Sequence, residues 1–331
     1  MKPLAAAGSI TIERLIDGGA DTLASDVLDG LSRSPKQLPP KHFYDATGAE
    51  LFDRICELPE YYPTRAERAI LERVAGGIAA RTGASELLEL GSGTAAKTRV
   101  LLDALSAHGS LRRYLPVDVT ESMIERTAGE LTAEYPGISV HGLVCDFDRG
   151  LADTLPAARG PRLVVFLGGT IGNFEPRERR RFLRQLAATL GPADHLLLGA
   201  DLVKDVETLE AAYNDSAGVT AEFNRNVLSV INARLGADFD LSAFEHVAFF
   251  DREHEWIEMR LRSKRSQLVS IPRVGMNAWF AEGEELRTEI SAKFTRERMA
   301  ADLGAAGLRP LETYTDEEGL FALVLAGPSR S

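Results

Sequence analysis

Acidic side chains and glycine turns recur along this chain, each one closing a short apolar run. Glu89 stands two residues before the turn Gly91-Ser92-Gly93, and Lys97 follows shortly after it. Asp118 closes the run 111–119, and Asp146-Phe147 follows the run 139–144. The uninterrupted apolar run 163–167 empties into a second glycine loop, Gly168-Gly169-Thr170-Ile171-Gly172-Asn173-Phe174. In open α/β sheets a ligand lies across the carboxyl ends of the strands, so these residues are expected to face one crevice. A bare glycine turn lets the backbone approach the ligand closely. A carboxylate at the second strand end can accept from both hydroxyls of a ribose. At the third, an acid can take an adenine amino proton beside a ring that stacks on the base.

Two ligand classes share that geometry. Gly91, Gly93 and Ala96 satisfy the dinucleotide fingerprint G-x-G-x-x-G/A, and the same turn opens the site of S-adenosylmethionine (SAM) enzymes. A dinucleotide brings a pyrophosphate, which wants a helix N-terminus and basic neighbours. SAM carries no phosphate, and its sulfonium is a cation. A crevice bordered by Glu89, Asp118 and Asp146 therefore suits SAM, with Lys97 left to meet its methionine carboxylate.

The elements that must hold these residues alternate as strand and helix. Strands are expected over 87–90, 111–119, 139–144, 163–167 and 195–201, with helices between them. Thr64-Arg65-Ala66-Glu67 reads as a capping box opening a helix to about Arg81, and Pro176 starts another that stops at Gly191-Pro192. The helix after the first glycine turn is expected to carry Lys97, Leu101 and Leu102. Residues 205–284 break the pattern with two helices and two strand-like stretches, 256–261 and 267–271. They read as an insertion forming a smaller lobe. Residues 285–294 alternate strictly and are expected to return to the sheet, and 309–315 with 320–325 read as a closing hairpin. The expected architecture is an α/β sheet core over 64–204 and 285–331, a lobe over 205–284, and an N-terminal segment 1–63 contributing to that lobe.

Composition narrows the function. A chain of 331 residues with a net charge of −11 lacks the clustered Lys and Arg of a nucleic-acid binder. The basic run 177–184 reads as a solvated helix face. Cys56 and Cys145 lie far apart, as free thiols of a reducing compartment do, and the six histidines show no metal-ligand spacing. No apolar run approaches the ~20 residues of a membrane span. A cytoplasmic enzyme without a metal, acting as a monomer, is the expectation.

Longer motifs then become recognisable. FYDATGAELFDRICELPEYYPTRAE, ELGSGTAAKT, PVDVTESM, VFLGGTIGNF, LLLGADLVKD, VTAEFNRNVLSVIN and GEELRTEISAKF resemble the histidine-specific Nα-methyltransferases of ergothioneine biosynthesis. The resemblance runs from about Phe43 to the C-terminus. It implies a class I SAM-methyltransferase, Rossmann-like core with a substrate-binding lobe, and trimethylation of L-histidine to hercynine. Tyr44, Gly91, Lys97, Asp118, Asp146 and Phe147 match the family's SAM positions, to which Glu89 at the strand end and Gly93 of the turn add. Asn173 and Tyr213 match those that hold the substrate's α-carboxylate and amino end. Tyr61, Glu289 and Ser291 match those that read the imidazole, and Met259 lines that pocket. Gly168, Thr220 and Phe223 fall near the amino group.

The chemistry agrees. Glu289 and Ser291 are two apart on a strand and share a face. On pattern alone they would be a solvated polar face, yet a carboxylate and a hydroxyl also suit the two ring nitrogens of an imidazole. Methyl transfer to an amine asks mainly for positioning and desolvation. Tyr44 or a water is expected to relay the amino proton, and Asn173, matched to the family's α-carboxylate and amino-end positions, is the second catalytic candidate. Tyr44, Tyr61 and Phe223 are the aromatic walls that would tolerate a quaternary ammonium.

Overall fold

The computed structural model of this protein describes residues 9–15, 22–146 and 155–329. The strands in chain order are β1 (Ile10–Arg14), β2 (Lys36–Gln37), β3 (Glu86–Leu90), β4 (Arg113–Asp118), β5 (Ser139–Val144), β6 (Arg162–Phe166) and β7 (His195–Asp201). They continue with β8 (Phe244–Asp251), β9 (Trp256–Ser263), β10 (Gln267–Ile271), β11 (Met276–Phe280), β12 (Glu285–Ala292), β13 (Leu308–Thr315) and β14 (Phe321–Pro328). Eight of them form a central sheet in the order β1-β5-β4-β3-β6-β7-β14-β13. Its strands run parallel from β1 to β7, and the β13–β14 hairpin closes the edge antiparallel to β7. This is the expected α/β core, a parallel sheet closed by an antiparallel hairpin.

The central strands are apolar on both sides because both sides are covered. Leu87, Leu163, Val165 and Leu197 pack under the helices Tyr62–Thr82 and Arg99–His108. Leu88, Val164, Leu196 and Leu198 pack under Pro176–Ala188 and Arg296–Ala305. The basic run in the former helix is solvated except for Arg179, which is buried against Asp302 at 2.7 Å.

A second sheet, ordered β2-β12-β9-β8, stands beside the first with the hairpin β10–β11 and the helices Val206–Tyr213 and Val219–Leu235. It has its own core, built on Phe43, Leu228, Ile257, Leu261, Phe280 and Leu286. Two expectations are corrected here. Strand β12 does not return to the central sheet but pairs with β9 in the smaller one. Its alternation of buried Leu286, Thr288 and Ile290 with polar residues fits a sheet covered on one face, not the doubly covered central sheet. Residues 10–14, by contrast, leave the N-terminal segment to become an edge strand beside β5.

Two local readings also change. Helix Tyr62–Thr82 starts at Tyr61 with no side-chain cap, so Thr64 sits inside its first turn and Glu67 is free to turn inward, fully buried. The helix after the first glycine turn begins only at Arg99, leaving Lys97 in the turn itself.

The sheets meet at the ends of β7 and β12. Phe294 N–H donates to Asp201 O at 2.8 Å and Val203 N–H to Phe294 O at 3.0 Å. The second glycine loop lies against that seam so closely that a Cβ on Gly172 would stand 2.8 Å from Ala292 O and 3.0 Å from Ala292 N. Backbone on backbone leaves no room to yield. Gly172→Ala is expected to lose about 1–3 kcal/mol of stability through overpacking, read by urea unfolding. An unchanged unfolding midpoint would show that the loop shifts without cost.

Candidate active site

The carboxyl ends of β3, β4, β5 and β6 and the pocket face of β12 open onto one cleft of about 1140 Å³. Pockets for single small ligands run to roughly 1,000 Å³, so this one has room for two small molecules together. Every residue singled out from the sequence lines it except Phe147, which lies outside the described residues.

One arm of the cleft is acidic and glycine-lined. Gly91 and Gly93 adopt positive φ, 70° and 47°, which lets β3 reverse into the turn. Asp118 at the tip of β4 accepts from Gly93 N–H and Thr120 N–H, both at 3.0 Å. Those bonds fix its carboxylate toward the turn, while burial pushes its pKa up. Glu89 lies on the floor, held by the hydroxyls of Thr98 and Tyr114, and burial pushes it up to about 7. Asp146 is met by Lys41 at 2.8 Å, which ties the N-terminal segment across this arm.

Lys97 has a partner the sequence did not suggest. Its ammonium pairs with Glu67, whose oxygens also accept from Gly168 N–H at 2.8 and 3.0 Å. One carboxylate thus holds both the lysine of the first turn and the head of the second loop. Gly199 makes room for it, since a Cβ there would stand 2.3 Å from Glu67 Oε1. The acids, the bare turn and Lys41 and Lys97, each answered by a carboxylate, form a lining that fits SAM.

The other arm is aromatic and polar. Tyr44, Phe223, Phe52, Tyr61 and Tyr213 follow one another with ring centroids 5.6 to 6.3 Å apart. Tyr44, 42% exposed, stands at the mouth. Met259 is buried on the neighbouring strand, and Thr220 in the first turn of its helix donates its N–H to Asp215 at 2.7 Å. Asn173 Nδ2 donates to Glu289 Oε1 at 3.1 Å and to Ile290 O at 2.7 Å. The second loop is thereby locked to β12. Burial pushes Glu289 up to about 7, against the opposing pull of Asn173 and Lys293.

Behind this arm lies a buried polar network. Ser291 Oγ and Tyr213 Oη are 2.8 Å apart, and Lys293 Nζ donates to both, at 2.8 and 3.1 Å. Lys293 also pairs with Asp201 at 2.8 Å, and Asp201 is further bound by Lys204 and by Tyr62 Oη at 2.8 Å. Desolvation opposes charge on Asp201, but the two ammonium groups outweigh it and hold its carboxyl below the usual range. Desolvation wins at Lys204, which falls to about 8.

Phe52, Tyr62, Glu67, Asp201, Lys204 and Lys293 are thus neighbours of the site that sequence reasoning did not assign. A signal existed for two of them. Lys293 continues the alternation of Glu289 and Ser291, and Asp201 ends a central strand as Asp118 does. Glu67 carried none. Among the described residues, no group of three or more His, Cys, Asp or Glu is placed to hold a metal, and no helix is long and apolar enough to cross a membrane.

Comparison with known proteins agrees with the geometry. The family model described as histidine-specific, SAM-dependent methyltransferase matches residues 23–328. The histidine N-alpha-methyltransferase of Mycolicibacterium smegmatis is 51% identical over 310 residues, covering 94% of this chain and 96% of that protein. Its namesake in Mycobacterium tuberculosis is 50% identical with the same coverage. Ergothioneine biosynthesis protein 1 of Neurospora crassa is 31% identical over 299 residues, covering 87% of this chain and 33% of that protein. With a family match over nearly its whole length and half its residues shared with two such enzymes, this chain belongs to the SAM-dependent, histidine-specific methyltransferases.

Proposed function

We infer that this enzyme transfers three methyl groups from SAM to the α-amino group of L-histidine, giving hercynine, the first step of ergothioneine biosynthesis. The observation that carries the reading is the placement of Glu289 and Ser291, delivered by the second sheet into the cleft that the SAM turn opens. A carboxylate and a hydroxyl side by side meet the two nitrogens of an imidazole. Nothing in the acidic arm calls for such a pair.

SAM supplies a methyl carbon made electrophilic by its sulfonium, which the amino lone pair attacks as the C–S bond breaks and S-adenosylhomocysteine leaves. The protein's part is placement. Gly91, Gly93, Asp118 and Asp146 seat the nucleoside, with Glu89 beneath the turn and Lys97 at the methionine carboxylate. Tyr213 donates to the α-carboxylate of histidine, joined by an Asn173 N–H that turns from Glu289 or Ile290 to reach it, and Tyr61, Met259, Glu289 and Ser291 surround its ring. Gly168, Thr220 and Phe223 border the amino group. An α-amino pKa near ~8 makes loss of the ammonium proton inexpensive, so no strong base is required. Tyr44, at the open mouth, relays that proton to solvent. The rings of Tyr44, Tyr61 and Phe223 accommodate the cation as it gains bulk.

Mass spectrometry of the product from L-histidine and SAM tests the assignment. Gain of three methyl groups on histidine, and none on tryptophan or tyrosine, is expected. Equal turnover of the three amino acids would overturn the substrate.

Glu289→Gln keeps the bond to Asn173 but removes the charge. It should weaken L-histidine binding by roughly 10- to 100-fold, the worth of a charge-assisted hydrogen bond, and leave SAM within about twofold. Titration calorimetry reads both, and equal loss of the two ligands would make Glu289 a scaffold residue.

The same pair sets a pH dependence. Glu289, at about 7, and a free imidazole, near ~6.5, both hold protons in acid, and two donors then face one another. Binding must expel one proton. The dissociation constant for L-histidine, measured with S-adenosylhomocysteine present, should therefore rise about tenfold per unit as pH falls below about 6. A flat profile between pH 5 and 7 would contradict the pairing.

A further inference from the structure

We propose that Lys293 is a positioning residue of the methylation site, whose buried ammonium aims the Tyr213 and Ser291 hydroxyls at the amino-acid substrate and lends positive charge to its carboxylate subsite. The proposal rests on the assignment of Tyr213 and Ser291 to the substrate.

The hydrogen-bond inventory supplies the argument. An ammonium has three hydrogens and no lone pair. Those of Lys293 go to Asp201, Ser291 and Tyr213, at 2.8, 2.8 and 3.1 Å, and its side chain is wholly buried. Each hydroxyl oxygen is therefore an acceptor toward Lys293 and keeps its own proton. The two oxygens are 2.8 Å apart, so one of those protons lies between them. The other has to leave the pair, and both residues line the cleft. When Tyr213 donates to Ser291, the Ser291 proton points into the cleft toward the imidazole. When Ser291 donates to Tyr213, the Tyr213 proton points toward the carboxylate. An apolar residue in place of Lys293 would leave both hydroxyls free to turn back.

Charge bears on the carboxylate subsite as well. Asn173 and Tyr213 are both neutral, and both Asn173 N–H groups are given to Glu289 and Ile290 in this structure, so a full positive charge answering the carboxylate has to come from behind them. Behind Tyr213, Lys293 Nζ stands 4.6 Å from the ring centroid. Asp201 divides its charge between Lys293 and Lys204, so the ammonium behind the carboxylate subsite is incompletely cancelled.

Lys293→Met tests this, with L-histidinamide as the probe of carboxylate recognition. The wild-type preference for L-histidine over L-histidinamide should shrink about tenfold, histidine affinity should fall by at least that factor, and SAM should bind within about twofold. Combining Lys293→Met with Tyr213→Phe should cost little more than the worse single change, because both remove one arrangement. A lysine that only braces the sheets would lower the melting temperature without moving the amide preference. Lys293→Gln removes the charge while keeping a donor beside Asp201, and is read the same way if the methionine is not tolerated. Unfolding of both variants, or an intact carboxylate preference in either, overturns the proposal. If instead Tyr213→Phe and Ser291→Ala leave histidine binding unchanged, it is the assignment of those hydroxyls that fails.

Discussion

A lysine ammonium sealed from solvent has to be answered by its surroundings, and the ion pair between Lys293 and Asp201 is where this fold answers it. The desolvation of each ion costs several kcal/mol, repaid only when every proton and lone pair finds a partner. Here the partners come from different parts of the molecule. Asp201 ends a strand of the central sheet, Lys293 follows the last strand of the second, and Tyr213 ends a helix packed into the second sheet's core. The pair can be satisfied only when the two sheets are docked in one relative position. That position also brings Glu289 and Ser291 to face the glycine turn of β3. Docking and site assembly are the same event.

The two arms of the cleft divide the electrostatic labour. The acidic arm gathers the carboxyl groups of Glu89, Asp118 and Asp146, which suit a cationic ligand without phosphate better than a pyrophosphate. The other arm, on the proposed reading, offers aromatic rings to the growing cation and hydroxyl and amide groups to the carboxylate. Glu67 joins the arms, because the carboxylate that anchors Lys97 also holds the backbone of Gly168. The lysine of the first turn and the head of the second loop share one support.

Much of this was legible in the residues themselves. The strand ends of the central sheet could be read because doubly covered strands are continuous apolar runs stopped by glycine or acid, as at Leu90-Gly91 and Val117-Asp118. The face carrying Glu289 and Ser291 followed from strict alternation. Which sheet that face belonged to did not, since alternation says that one side is polar but not what lies across from it. The edge strand 10–14 escaped notice because a short, mostly exposed segment carries little apolar pattern. Glu67 was misread for a different reason. A Glu three residues after a Thr has the spacing of a cap, and only the start of the helix at Tyr61, with Pro63 in its first turn, frees it to turn inward.

Gly199 shows where such a design is brittle. It sits in the middle of a central strand, far from any turn, and its φ is ordinary enough for any residue. What it provides is the vacancy that Glu67 fills; a Cβ there would also stand 3.3 Å from the Cα of Leu167, just past the end of β6. A single added methyl group would evict a carboxylate, release a lysine and loosen a loop, none of them adjacent in sequence. The substitutions this enzyme tolerates least are therefore not confined to the wall that touches its ligands. They extend one layer back, to positions whose importance lies in an absent atom.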